Sequence, residues 1–264
     1  MTEPIIKVKN LTKKFGDVTA VDNISFEVKP GELFAFLGPN GAGKTTTVSM
    51  LTTISMPTSG TIAIAGLNPA TQADLVRTQF GIVFQDSSHD EDLTAYENLL
   101  YHAILFNVPK VEREVRIKAL LEQVDLWDKK DKLVKTFSGG MKRRMEIARG
   151  LIHQPKILFL DEPTLGLDPQ TRKYMWEKIT QMRDTLGMTV FFSTHYMEEA
   201  EKYADRICII DKGVIQKIGT VAELTSHTQT QTLEEAFLKL TGHTIRDESV
   251  KDGLAAMRNR RSIR

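Results

Sequence analysis

Apolar residues along the chain keep two rhythms. Short runs rich in β-branched and aromatic side chains come first, at residues 5–8, 24–28, 33–37 and 61–64, separated by Gly16, Pro30-Gly31 and residues 57–60. Such runs bounded by Gly and Pro predict strands. From about Thr94 to Val134 the spacing changes. Leu99, Leu100, Ala103 and Ile104 recur at helical intervals, as do Val115, Ala119, Leu120 and Leu121, with charges between them. This predicts a mostly helical subdomain. Residues 157–160 are continuously apolar, 170–185 follow a helical pattern, and 189–193 are β-rich again. Continuous apolar runs alternating with helices predict an α/β fold whose sheet contains buried parallel strands. Residues 225–231 are polar and repetitive, as in a linker. A short helix is expected at 233–240, and Arg258, Arg260, Arg261 and Arg264 mark a basic tail.

Composition adds mainly exclusions. The 264 residues suit one large domain or two small lobes, and 35 Lys+Arg against 34 Asp+Glu give no charge asymmetry of the kind that advertises nucleic acid. No apolar run approaches the ~20 residues of a membrane span. Met1-Thr2-Glu3-Pro4 has neither a basic nor an apolar leader region, and the single cysteine, Cys208, sits in an apolar run as a small buried hydrophobe. A cytoplasmic setting is expected.

Two segments carry chemistry. Gly38-Pro39-Asn40-Gly41-Ala42-Gly43-Lys44-Thr45 fits the phosphate-binding loop, with an apolar strand before it and a helix expected from Lys44. Its glycines let several N–H groups point inward as an anion nest, and the helix N-terminus adds a positive dipole end. Lys44 is expected to reach the β- and γ-phosphates, with the Thr45 hydroxyl on Mg²⁺ and Thr46 adjoining. The second segment is the apolar strand 157–160 running into Asp161-Glu162. Asp161 is placed to hold Mg²⁺ opposite Thr45, and Glu162 to polarise an attacking water. A lone Asp-Glu pair is commonly just a solvated turn, but beside a phosphate loop the catalytic reading is the better one.

Phe137-Ser138-Gly139-Gly140-Met141, followed by Lys142-Arg143-Arg144-Met145-Glu146-Ile147-Ala148-Arg149, resembles the signature motif of ABC (ATP-binding cassette) ATPases, usually written LSGGQ, and its helix. Ser138 looks like a helix N-cap, and Gly139-Gly140 let backbone approach a phosphate. The resemblance implies that Ser138, Gly139 and Gly140 close over a nucleotide held by a second subunit, so that two ATP sites form in a head-to-tail dimer. It also implies that Phe15 stacks on adenine and that Gln85 contacts Mg²⁺ and couples the helical subdomain to the nucleotide. Leu165-Gly166-Leu167-Asp168 resembles the loop crossing the dimer interface, and His195 matches the histidine that bonds the γ-phosphate. The similarity runs from about Ile5 to about Gly219. His89, His102, His153, His227 and His243 are left as packing or surface residues. Met141 and Phe137 depart from the usual Gln and Leu, and Met lacks the hydrogen bonds of Gln. Phe15 stands where Tyr is commoner.

The Met-containing signature and residues 233–242 resemble the drug-exporter branch, which includes daunorubicin-resistance ATPases and nodulation-factor exporters. The implied protein is a P-loop ABC cassette: a mixed, largely parallel core sheet, an N-terminal antiparallel β region and a helical subdomain at about 87–140 inserted in residues 1–224. Residues 225–264 would hold the linker, short helix and tail. Its cofactors would be ATP and Mg²⁺. Its partners would be a second copy of itself and a separate membrane permease, with no nucleic acid and no span of its own. That setting is the cytoplasmic face of the membrane, powering export of a drug, lipid-like or other hydrophobic compound. The segment from Gln85 to Pro109, with His89-Asp90-Glu91-Asp92, would grip the permease or form a solvated loop. The rival reading is an ABC ATPase acting on ribosomes or DNA. One phosphate loop, one signature and no sustained heptads between Lys44 and Asp161 count against it.

Overall fold

The computed structural model describes residues 3–242; the basic tail and His243 lie outside them. The antiparallel region comprises β1 (Ile6–Phe15), β2 (Val18–Val28) and β4 (Ser59–Ile64), in the order β2-β1-β4. The core sheet contains β3 (Leu33–Leu37), β5 (Phe80–Val83), β6 (Ile157–Asp161), β7 (Thr189–Thr194), β8 (Arg206–Asp211) and β9 (Val214–Gly219). Its order is β5-β6-β7-β3-β8-β9, parallel throughout except for the antiparallel β8–β9 pair.

Period-two alternation explains why the central runs are apolar without a break. Phe34, Phe36, Phe159, Phe191, Cys208 and Ile210 enter the core shared with the antiparallel sheet. Their neighbours Leu33, Ala35, Leu37, Leu158, Leu160, Val190, Phe192, Ile207 and Ile209 enter a second core beneath the helices. Strands buried on both faces have no polar face to show. Phe191 centres the first core, its ring 5.5–6.2 Å from those of Phe26, Phe34, Phe36 and Phe159. Burial raises the Cys208 thiol well above its ordinary pKa, as suits a packing residue.

Helix α1 (Lys44–Leu51) follows β3, and α2 (Ala73–Arg77) precedes β5. The helical region between β5 and β6 comprises α3 (Ala95–Leu105), α4 (Lys110–Gln123), two single 3-10 turns and α5 (Gly139–Gly150). Thr94 starts α3 with a complete capping box to Glu97. Two glycines set the seat of α5: a Cβ on Gly81 of β5 would lie 2.1 Å from the Gly150 carbonyl oxygen. Only Gly lets helix and strand backbones approach so closely. The remaining helices are α6 (Pro169–Leu186), α7 (Met197–Tyr203), α8 (Val221–Thr228) and α9 (Leu233–Thr241). Among the described residues no helix is long and apolar enough to cross a membrane.

Two expectations need correction. Residues 225–231 are not simply a linker, because 225–228 are the second half of α8. Thr220 and Glu223 form a capping box that starts this helix, and Leu224 and Thr228 are buried. A polar face hid a helix that packs on α9. Strands β1 and β2 also extend well beyond the apolar runs 5–8 and 24–28. Ladder pairing carries them on to Phe15↔Val18, with register shifts after Val8, Leu11 and Lys13.

Candidate active site

In an open α/β sheet the carboxyl ends of the parallel strands form a natural crevice. Here the loops after β3, β5, β6 and β7 present the phosphate loop, Gln85, Glu162 and His195 on one edge. Phe15, Asn40, Gly41, Gly43, Lys44, Thr45, Thr46, Gln85, Glu162 and His195, with Ala20 and Leu165, line a cleft of about 630 Å³. Gly38, Pro39 and Ala42 are buried in the loop's base. The sequence demands glycine at Gly43 for two reasons. Its φ is +100°, and a Cβ there would meet the Ala20 carbonyl oxygen at 2.6 Å. Helix α1 begins directly after it, with its first N–H groups free of any side-chain cap.

Lys44 is 5% exposed. Its amine donates to the Gly38 and Pro39 carbonyls at 2.9 and 3.0 Å and is 3.1 Å from Glu162 Oε1. Three acceptors therefore match its three N–H bonds, and of these the carboxylate is the one an arriving phosphate oxygen can replace. The other Glu162 oxygen accepts from His195 Nδ1 at 2.9 Å. A carboxylate only accepts, so Nδ1 carries the proton. Burial by itself raises the Glu162 pKa; the His195 hydrogen bond and the Lys44 charge together outweigh it and hold the group below its ordinary value. Glu162 also has φ +46°, a left-handed conformation uncommon for a residue with a side chain. Its N–H is anchored to Ser193 through both the backbone oxygen and Oγ.

Asp161 lies deeper, 3% exposed, with Oδ1 accepting from Ser193 Oγ at 2.5 Å. Phe15 is half exposed at the end of β1, with the Lys13 amine 4.9 Å from its ring centroid.

Other expected site residues lie apart. Ser138 caps α5 by accepting from Met141 N. With Gly140 it lines a separate recess of about 450 Å³, walled by Thr171 and Tyr174 among others. Gly139 borders a smaller recess that Gln85 and Glu162 also touch. Asp168 is not in the cleft. It caps α6, accepting from the Gln170 and Thr171 N–H groups, and the Thr171 hydrogen bonds hold its carboxyl below the usual range. Met141 packs against the helix-side core, and the Lys129 amine lies 3.8 Å from its sulfur. Glu91 and Asp92 are exposed but ion-paired with Lys142 and Lys135, which ties their loop to α5 and the turn before it.

Sequence reasoning missed Arg143, Ser193 and the Lys44–Glu162 contact. Arg143 had one signal: Arg143, Glu146, Ile147 and Gly150 recur at helical spacing and all are buried.

The fold and cleft define a nucleotide hydrolase built on a phosphate loop. A family model described as ABC transporter matches residues 21–165. The Nod factor export ATP-binding protein I of Ralstonia nicotianae is 42% identical over 224 residues, 85% of this chain and 70% of that one. The linearmycin resistance ATP-binding protein LnrL of Bacillus subtilis is 41% identical over 222 residues, 84% of this chain and 71% of that one. Among solved structures, cbiO1 of Clostridium perfringens, part of the cbiONQ transporter complex, superposes with a TM-score of 0.79. It is 30% identical, covering 85% of this chain and 91% of that one. A dimeric post-hydrolysis state of the cassette MJ0796, bound to ADP and Pi, gives a TM-score of 0.73. It is 28% identical over 81% of this chain and 98% of that one. The chain belongs to the ABC transporter family. It binds ATP and hydrolyses it in the service of transport.

Proposed function

We propose that this chain is the motor of an exporter, pairing head to tail with a second copy and docking a separate permease at the cytoplasmic face of the membrane. The observation that carries the pairing is the separation of Ser138 and Gly140 from the phosphate loop of their own chain. Ser138 and Gly140 line a different recess from Lys44 and Thr45, which leaves them to meet a nucleotide held by another copy. Asp168 caps α6 through Gln170 and Thr171, two residues that line the same recess as Ser138 and Gly140. Export of a drug-like, lipid-like or other hydrophobic compound is inferred from the relatives named for Nod factor export and linearmycin resistance; the permease selects the cargo.

Within one site, the inward N–H groups and Lys44 hold the triphosphate, and Phe15 stacks on the base. As the γ-phosphate takes the Lys44 amine, Glu162 loses a cation that keeps it weakly basic. Its carboxylate is then better able to draw a proton from water while His195 steadies the γ-phosphate side. Thr45, Gln85 and Asp161 supply hydroxyl, amide and carboxylate oxygens, the hard donors that suit Mg²⁺, and Thr45 and Gln85 share the cleft. That ion, when bound, neutralises charge on the phosphate oxygens.

Permease docking is supported by a groove of about 520 Å³ beside β5, lined by Ile54, Phe80, His102, Leu105, Phe106 and His153 among others. Leu105 is 75% and Ile54 59% exposed, an apolar rim suited to a helix from a partner. Purification of the tagged chain from detergent-solubilised host membranes tests the reading. A polytopic membrane protein in near-equal amount is expected, lost on Leu105→Glu while ATP hydrolysis persists. Recovery alone, or with ribosomes or DNA, overturns the transport assignment.

A further inference from the structure

Arg143 stands on the first turns of α5, immediately after the signature, yet only 8% of it is exposed. Its guanidinium has five N–H bonds, and each meets an acceptor. Nε donates to the Pro163 carbonyl at 2.7 Å, and Nη2 donates to the Asp161 and Glu162 carbonyls at 3.1 and 3.2 Å. Nη1 donates to the Phe84 carbonyl and to Glu146 Oε2, the latter at 3.2 Å. Glu146 in turn accepts from the Ser88 N–H and His89 Nδ1, both at 3.0 Å. One side chain therefore grips three consecutive carbonyls at the end of β6 and the carbonyl just before Gln85 at the end of β5.

From this geometry we propose that Arg143 is a positioning residue for hydrolysis. It holds Glu162 and Gln85 in register with each other and ties both to the signature helix of the same chain. The proposal rests on the roles proposed above for Glu162 and Gln85. The planar fork suits this task because its donors diverge at fixed angles toward separate acceptors, which a lysine amine on a flexible stem does not reproduce. Glu162 needs such support, since its φ of +46° is one its side chain disfavours. Neither Asp161 nor Glu162 offers Arg143 a carboxylate; the contacts are to their carbonyls, so the Glu162 side chain remains free to line the cleft. Because α5 begins at the signature, a shift of Ser138 and Gly139 toward a second copy's nucleotide pulls on the same fork.

The test measures phosphate release and equilibrium ATP binding by the full chain carrying Arg143→Lys, Arg143→Met or Arg143→Met with Glu146→Leu. The double substitution replaces the buried ion pair with apolar groups of similar size, an exchange that folded proteins tolerate better than removal of one partner. The expected result is a kcat lowered about a hundredfold in the Met variants, the scale of a misplacement near 1 Å. ATP affinity should stay within about threefold, since Arg143 touches no residue of the phosphate loop. Arg143→Lys should recover part of the lost kcat. The double variant should regain thermal stability without regaining rate. Wild-type kcat in any folded variant overturns the proposal, as does a loss of kcat and ATP affinity in equal measure. Glu162→Gln in the same assay separates the two layers. If that variant is active, the Glu162 reading fails and Arg143 with it. If it is inactive while the Arg143 variants turn over normally, only the positioning role falls.

Discussion

Glu162→Gln offers the sharpest test of the proposed site because two effects of opposite sign follow from one contact. Glu162 shares its carboxylate between Lys44, at 3.1 Å, and His195, at 2.9 Å. Glutamine keeps an acceptor oxygen and nearly the same volume, so the cleft is not emptied. The bond to Lys44 changes from an ion pair to one in which only the amine is charged, a weakening of about 1 kcal/mol on the scale of typical net values. A phosphate oxygen competing for Lys44 then meets a weaker rival, and ATP should bind about fivefold more tightly. Hydrolysis should move the other way. The amide takes no proton from water, and removal of a positioned general base typically costs about 10²- to 10⁴-fold, or roughly 3–5 kcal/mol in barrier. The assay pairs equilibrium titration with a fluorescent ATP analogue and single-turnover phosphate release. Turnover within tenfold of the unsubstituted chain would remove Glu162 from water activation. Weaker ATP binding with turnover lost would refute the competition for Lys44 and leave the base role standing.

Two further outcomes are expected on stability. Gly81→Ala drives a Cβ to 2.1 Å from the Gly150 carbonyl oxygen and 2.8 Å from its carbon, so α5 must lift from β5. A cost of about 3 kcal/mol, read as a fall of roughly 6–12 °C in thermal midpoint, is expected, and an unchanged midpoint would refute that account of the helix seat. Burial, reinforced by Arg149 for His102 and by Arg116 for His153, lowers both imidazoles to about 4. Unfolded imidazoles bind protons from about pH 6.5 downward while the folded ones do not, so stability is full above that pH and declines toward pH 4. Each histidine contributes a slope of about 1.4 kcal/mol per pH unit at most. Urea denaturation at several pH values should therefore show a shallower acid limb in His102→Phe, and an identical limb would contradict the shifted value.

The helix α8 shows why some of the fold was hard to read. Its sequence Val221–Thr228 is mostly polar because only Leu224 and Thr228 are wholly buried, and a helix anchored at two points leaves a weak periodic signal. Its capping pair, Thr220 and Glu223, was the better guide. The central strands posed no such difficulty, since Leu33–Leu37 and Ile157–Asp161 are buried on both sides and must be apolar throughout.

Local chemistry was written in the sequence itself. The phosphate loop is a strand, a glycine turn and a helix start within a short stretch, and its demands on φ and on backbone access select residue types that can be read directly. The Asp161-Glu162 pair at a strand end, and Ser138 as a cap, are local in the same sense. What only tertiary structure decided is which of these meet. The strand order β5-β6-β7-β3 brings Gln85, Glu162, His195 and Lys44 to one cleft, while Ser138 and Gly140 face another. The grip of Arg143 on the carbonyls of Phe84, Asp161, Glu162 and Pro163 was equally invisible. Every residue owns a carbonyl, so contacts made to backbone leave no mark on the partner's side chain.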